Sequence, residues 1–357
     1  MTTIKDVAAI AGVSPSTVSR VLSDSPRISP RTKERVREAL RKLDYHPNAF
    51  ARGLVTNTAG AIGILIPPDM NEFFLNPFFA EMMSGVSDVA RREGFDTVLS
   101  TSARDEEETL DAMMHGRRVD GVLLLRSRKA DPAITSVMKH GFPATLIGSP
   151  ADDVLLSHVD NDNVQASYVA TKHLISLGHE RIGFLGGGME LVVTEDRIAG
   201  YRQALNEAGI PVDERVITSS FFMEQGGYLA MMRLLALSDR PTAVLASDDV
   251  LAFGAMRAAT ELGYRLPKDM AIVGFNDIRL AELANPPLTT VRVNMQAIGT
   301  AAAELLLRQI RAGAPSSESK IIDTELVIRG SCGSSMAQDN PLGTRTFGNQ
   351  HSKEGLG

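Results

Sequence analysis

Four side chains near the start of the sequence share one face of a short helical pattern: Ser16, Thr17, Ser19 and Arg20. Val18, Val21 and Leu22 form the opposite, apolar face. Short hydroxyls and one guanidinium at that spacing suit base edges and phosphates in a DNA major groove. Elsewhere the reactive chemistry is thin. Gly186, Gly187 and Gly188 follow an apolar run, but no Lys-Ser/Thr comes after them, so they read as a tight turn rather than a phosphate loop. The seven His are scattered and Cys332 is the only cysteine, so no metal site and no disulfide are expected. No nucleophile–base pair or paired catalytic carboxylates stand in a supporting context. The chain is expected not to be an enzyme and to need no cofactor.

The polar face needs a scaffold, and the neighbouring residues supply one. Thr3 sits where it caps a first helix, with Asp6 three residues on, near the helix's positive end. Ile4, Val7, Ala8 and Ala11 recur at helical spacing, and Gly12 follows as a left-handed C-cap. Ser14 and Pro15 open the second helix, and Ser29 and Pro30 open a third that runs to about Leu43. Pro47 ends that pattern. Asn48 then caps a short helix over 49–55, where Gly53 costs about 1 kcal/mol. A helix that short forms only with help from DNA or a partner chain.

Charge divides the same way. Residues 1–60 carry ten Lys/Arg against five Asp/Glu, +5, within a chain of net charge −6, so the remainder is −11. A small basic module on an acidic body suits a nucleic-acid-binding head on a sensor. No run is long enough to span a membrane and the first residues do not resemble a signal peptide, so a cytoplasmic protein is expected. From Ala61 onward, apolar runs of Val, Ile and Leu alternate with helical patterns, twice over. That is the texture of two doubly wound α/β lobes with parallel sheets, whose strand ends face a ligand cleft between them. The expected boundaries are 1–47 for the head and 48–60 for the linker. The body spans 61–330, with an N lobe at about 61–160 and 294–321 and a C lobe at about 161–293 and 322–330. Residues 331–357, rich in Gly, Ser and Asn, are expected to be a disordered tail.

Head, linker and bilobed body together resemble the LacI/GalR family of bacterial transcription regulators. The resemblance rests on Thr3-Ile-Lys-Asp-Val-Ala, Val13-Ser-Pro-Ser-Thr-Val-Ser-Arg20, Tyr45-His-Pro-Asn, Ala51-Arg52-Gly-Leu54, Asn76-Pro-Phe-Phe79, Asp196-Arg197-Ile-Ala-Gly-Tyr201 and Pro286-Pro-Leu-Thr-Thr-Val291. It covers about residues 2–330. It implies a homodimeric repressor on palindromic operator DNA, controlled by a small sugar. Thr3, Pro15, Ser16, Thr17, Arg20, Asn48 and Arg52 would meet the DNA, and Leu54 would wedge into the minor groove. Phe78, Phe79, Asp196, Arg197, Phe222, Asp248 and Asn276 would meet the effector, with Arg197 and Asp196 as a pair suited to a polyol. Asp249 and Asp277 would cap helices or pair with backbone groups. Asn76-Pro-Phe-Phe79, the long stretch 67–76 and Thr194-Glu-Asp-Arg197 resemble the maltose-type regulators, which implies an oligosaccharide. The competing readings are a global regulator activated by a phosphoprotein partner and a periplasmic sugar receptor.

Overall fold

The computed structural model describes residues 2–22, 25–45, 58–66, 72–101, 105–151 and 154–334. The head is three helices: α1 (Ile4–Ala11), α2 (Pro15–Leu22) and α3 (Pro30–Lys42). The Thr3 N–H and hydroxyl each donate to Asp6 Oδ2 at 2.8 Å. Gly12 ends α1 at φ 62°, where a side chain would be strained. Arg35 of α3 donates from Nη2 to Ala11 O at 2.5 Å, which satisfies a terminal carbonyl of α1. Val7, Ala8, Ala11, Val18, Val21, Val36 and Ala39 are buried together. With so small a core, the caps carry an unusual share of the stability.

The body holds two six-stranded sheets. The first contains β1 (Ala61–Leu65), β2 (Asp96–Ser100), β3 (Gly121–Leu124), β4 (Ala144–Ile147), β5 (His158–Asn161) and β11 (Ser319–Ile322), in the order β11-β5-β4-β3-β1-β2, all parallel. Helices α4 (Glu72–Leu75), α5 (Pro77–Glu93), α6 (Glu106–His115) and α7 (Pro132–His140) belong to this lobe. The second sheet contains β6 (Ile182–Gly186), β7 (Ile217–Ser219), β8 (Ala243–Ala246), β9 (Ala271–Asn276), β10 (Thr289–Val293) and β12 (Thr324–Val327). Its order is β12-β10-β9-β8-β6-β7, and only β12 runs antiparallel to its neighbour. Its helices are α8 (Asn163–Ser176), α9 (Val192–Glu207), α10 (Glu224–Leu235), α11 (Asp249–Glu261) and α12 (Leu280–Leu283). The long helix α13 (Met295–Ala312) returns to the first lobe and lies against α5. The chain therefore crosses between lobes three times, before α8, before α13 and between β11 and β12. Strands β1, β3, β4, β6, β8 and β9 are buried along their length, which is why they read as continuous apolar runs.

Two strands escape such a reading. β5 reads His-Val-Asp-Asn and β11 reads Ser-Lys-Ile-Ile, too short and polar to stand out from loops. Residues 331–334, expected to belong to the tail, are held against the body. Ser331 Oγ donates to Ile272 O at 2.6 Å and accepts from Thr289 N at 2.8 Å, and Cys332 is buried. Composition missed this because the segment is held by its main chain and one hydroxyl, not by apolar bulk. The expected linker helix over 49–55 and the first half of the stretch 67–76 lie outside the described residues.

Helices α5 and α13 touch backbone to backbone. A Cβ on Gly299 would stand 2.0 Å from Met82 O, and one on Gly85 would stand 2.2 Å from Gln296 O. Neither carbonyl is the end of a flexible side chain, so the helices themselves would have to part. Gly299→Ala is therefore expected to cost about 1–3 kcal/mol through overpacking, despite alanine's better helix propensity. A urea titration followed by circular dichroism checks this; an unchanged midpoint would refute the contact.

Candidate functional site

In the head, α2 turns its polar face outward. Pro15, Ser16 and Arg20 are exposed, Thr17 and Ser19 half-exposed, and Val18 and Val21 point into the core. Ser14 Oγ lies 2.8 Å from Ser16 Oγ and 2.9 Å from Thr17 Oγ1, and it accepts the Thr17 amide at 3.2 Å. These bonds hold three hydroxyls in a fixed array at the helix N-terminus. Thr3 is exposed at the start of α1. Asn48, Arg52 and Leu54 lie outside the described residues.

The second site is the cleft between the lobes, which holds about 900 Å³ of empty space with its open mouth included. Nearly every wall comes from the carboxyl end of a strand or the first turn of the helix that follows. The first lobe contributes Asn76 and Phe78 from the start of α5 and Arg126 and Ser127 after β3. It also contributes Ser149 after β4 and Asp160 and Asn161 at the end of β5. The second lobe contributes Val192, Val193 and Arg197 from α9, Phe222 after β7, Asp248 after β8 and Asn276 at the end of β9. Gly187 makes room for one wall: a Cβ there would stand 2.2 Å from the Phe222 ring, so glycine lets that ring lie against the loop. The Gly186–Gly188 turn thus has a packing role in the site.

Arg197 is 5% exposed, and its surroundings explain how a cation tolerates that. Nε donates to Asn163 Oδ1 at 2.9 Å, Nη1 donates to Ser247 O, and the guanidinium lies 3.6 Å from the centroid of the Phe275 ring. Burial pulls its pKa down to about 10, against the opposing pull of Asp248, Asp160, Asp196 and Asp249. The carboxylates feel the same dry environment. Burial raises Asp248 to about 6, although bonds from Asn76 and Val250 and the charge of Arg197 oppose it. Asp160 is raised by burial, and Asp249 is raised well above its ordinary value for the same reason.

Asp248 is committed on both oxygens. Oδ1 accepts the Val250 amide at 2.7 Å, which makes Asp248 the N-cap of α11. Oδ2 accepts Asn76 Nδ2 at 3.1 Å and Asn276 Nδ2 at 2.8 Å. Asn276 holds φ 110°, a conformation a non-glycine residue rarely keeps away from functional positions. Its Oδ1, like Ser127 Oγ, is buried without a hydrogen-bond partner among the described residues. Such an atom costs roughly 1–3 kcal/mol until something pairs with it. Both residues line the cleft, where a hydroxylated ligand would supply that partner.

Six of the seven expected effector residues line this cleft: Phe78, Phe79, Arg197, Phe222, Asp248 and Asn276. Asp196 does not. Its side chain is half-buried near Asp160 and Arg197 but is not part of the cleft's lining. The Arg197–Asp196 pair is therefore replaced by Arg197 with Asp160 and Asp248. Asp249 pairs with a backbone group, one of the two roles expected of it. It is fully buried, accepting from Thr290 Oγ1 at 2.6 Å and from the Ile278 amide at 2.9 Å. Asp277 pairs with Arg292 at 2.8 Å and Arg329 at 2.7 Å. Asp160, Asn161, Arg126, Ser127 and Ser149 were not singled out by sequence. Only the polarity of the short β5 segment could have pointed to the first two.

Comparison with known proteins agrees with this architecture. Residues 3–48 match the model for bacterial regulatory proteins of the lacI family, and residues 171–332 match a periplasmic binding protein-like domain. The chain is 35% identical over 330 residues to the HTH-type transcriptional regulator CelR of Thermobifida fusca, covering 92% of this chain and 97% of that one. It is 37% identical over 315 residues to the HTH-type transcriptional regulator MalR of Streptococcus pneumoniae, covering 86% and 92%. Among solved structures, a CelR–cellobiose complex superposes with a TM-score of 0.72 at 33% identity, covering 93% of this chain and all of that one. The lac repressor dimer bound to operator and the anti-inducer ONPF superposes at 0.80 with 26% identity, covering 93% and 99%. No helix among the described residues is long and apolar enough to cross a membrane.

The raised carboxyls have a consequence for stability. Asp248 and Asp196 both titrate near 6 in the folded state, Asp196 chiefly through burial and then the charge of Asp160, whereas an unfolded Asp titrates at about 4. Between those values the folded state binds the extra protons, so stability falls as pH rises from about 4 to about 6. Thermal melts are expected to show a higher midpoint at pH 5 than at pH 7.5, with a smaller difference in Asp248→Asn. A higher midpoint at pH 7.5 would contradict this.

Proposed function

This chain belongs to the lacI family of bacterial regulatory proteins, and from that premise we propose a repressor whose operator binding is controlled by a glucose disaccharide held in the interlobe cleft. The family makes it a DNA-binding transcriptional regulator with a periplasmic-binding-protein-like body rather than an enzyme. The effector reading rests above all on one arrangement. Phe78 and Phe222 enter the cleft from opposite lobes, beside the Arg197 fork and the oxygens of Asp160, Asp248, Ser127 and Asn276. Aromatic faces suit the C–H faces of sugar rings, and a planar guanidinium suits two adjacent hydroxyls. The size of the sugar is inferred from the relatives. A CelR structure holds cellobiose, and MalR is as similar in sequence, so cellobiose and maltose are the first sugars to test. Thr3, Pro15, Ser16, Thr17 and Arg20 would meet the operator, together with Asn48, Arg52 and Leu54 of the linker.

We take the working form to be a homodimer on a palindromic operator, as in the lac repressor structure. Exposed apolar residues on both lobes support this: Phe74, Leu75 and Leu99 on the first, and Phe221, Leu280 and Leu283 on the second. Sugar binding would favour an arrangement of the lobes that holds the two heads out of register. A coupling of about 1–3 kcal/mol would suffice for useful regulation.

Thermal-shift titration with cellobiose and maltose tests the effector. A concentration-dependent rise with one of them is expected, and no rise with either would exclude the disaccharide reading. Arg197→Lys keeps a charge among the carboxylates but loses the planar fork, so sugar affinity is expected to fall about tenfold or more by calorimetry. Unaltered affinity would remove Arg197 from the contact. For the head, the operator is first selected from random DNA. Arg20→Ala is then expected to lose about 1–3 kcal/mol of discrimination in fluorescence anisotropy while sugar binding persists. An Arg20→Ala protein with unchanged operator preference would sink the groove assignment.

A further inference from the structure

Asn76 does two things at once. Its Oδ1 accepts the Phe78 amide at 3.0 Å, which caps α5 in the first lobe. Its Nδ2 donates to Asp248 Oδ2 at 3.1 Å, which caps α11 in the second. The two residues stand 172 positions apart, and both are buried, at 4% exposure each. One side chain thus joins the capped ends of two helices across the cleft. Asn276, from the second lobe, donates to the same carboxylate oxygen at 2.8 Å and holds it in place. Other ties between the lobes lie elsewhere. The Val192 amide donates to Ser127 O at 3.2 Å, Arg128 and Leu191 form an antiparallel bridge, and Lys129 pairs with Glu195 at 2.7 Å.

We propose that Asn76 is a positioning residue that fastens the lobes together through Asp248 and sets how far the cleft stands closed before any effector arrives. A charge-assisted bond between buried groups is among the stronger contacts a protein makes, and breaking it leaves a carboxylate short of a donor. The exposed Lys129–Glu195 pair contributes much less. Because Asn76 also caps α5, the state of the Asp248 carboxylate reaches the first turn of that helix directly. A ligand hydroxyl that donates to Asp248 joins or displaces Asn76 there, and so bears on the tie that holds the lobes. The proposal rests on the reading of the cleft as the effector site, but its test uses neither sugar nor DNA, so its failure would leave the effector assignment standing.

The Val192 amide reports closure, since its hydrogen bond crosses between the lobes. Its exchange rate is measured by NMR or by fragment-resolved mass spectrometry on the full chain at pH 8. Asn76→Ser and Asn76→Asp both keep a good helix cap. The first is too short to reach Asp248, and the second sets two carboxylates against each other. Each is expected to speed Val192 exchange about tenfold. In Asn76→Asp with Asp248→Asn the donor and acceptor trade places, since Asn is also a good cap for α11, and a flip of the Asn276 amide brings its Oδ1, unpaired in the parent, to the new donor. This double variant is expected to return to within about twofold of the parent rate. A purely local capping role predicts unchanged Val192 exchange in the single variants, and a disturbed carboxylate without a tie predicts faster exchange in the singles with no recovery in the double. Either of those results overturns the proposal.

Discussion

The cleft depends on keeping a guanidinium almost out of water. Removing a charge from water is affordable only when its partners are already in place. Arg197 has a carbonyl oxygen, a side-chain amide and an aromatic face around it, and four Asp residues close enough to pull on its pKa. The partners outside α9 come from α8, the turn from β8 into α11, the end of β9 and the end of β5. The guanidinium therefore fixes the mutual position of those elements. Two raised carboxyls, Asp248 and Asp160, line the same space. The site is built around charge held at low hydration, which gives hydrogen bonds to a neutral, hydroxyl-rich ligand unusual strength and direction.

The head works on the opposite terms. Its core is seven small buried side chains, and stability comes from the ends of helices rather than the middle. Thr3 with Asp6, Ala11 with Arg35, Ser14 with Thr17, and Ser29 with Thr32 satisfy the end groups of three short helices. That leaves α2 free to spend its outer face on polar contacts. Body and head thus divide the chemistry: one buries charge to hold a ligand, and the other exposes hydroxyls and cations to a polyanion.

Much of this is readable in order along the chain because caps and periodicity are local. Ser14-Pro15 and Ser29-Pro30 each start a helix where the sequence suggests. The buried strands announce themselves as Val, Ile and Leu runs. Local rules fail where a few polar residues form a strand at the cleft, as in β5. They fail again where a tail of small residues is held by main-chain bonds, as at Ser331. At α9 the sequence offered Asp196 and Arg197 as a pair, and only Arg197 lines the cleft.

The sequence by itself determined most of the elements, the two-lobed α/β class, the polar face of α2 and the family. Each follows from spacing and chemistry within a few residues or from motifs taken as a set. Only the tertiary structure decided which polar residues meet. Asp160 and Asn161 enter the cleft because β5 is paired between β4 and β11. Asn76 meets Asp248 because the lobes face each other across a gap the chain spans three times. An aspartate in a sequence has the same chemistry whether it faces solvent or a dry cleft. Its burial, and with it its pKa and its partners, is set by strands and helices far away in the chain.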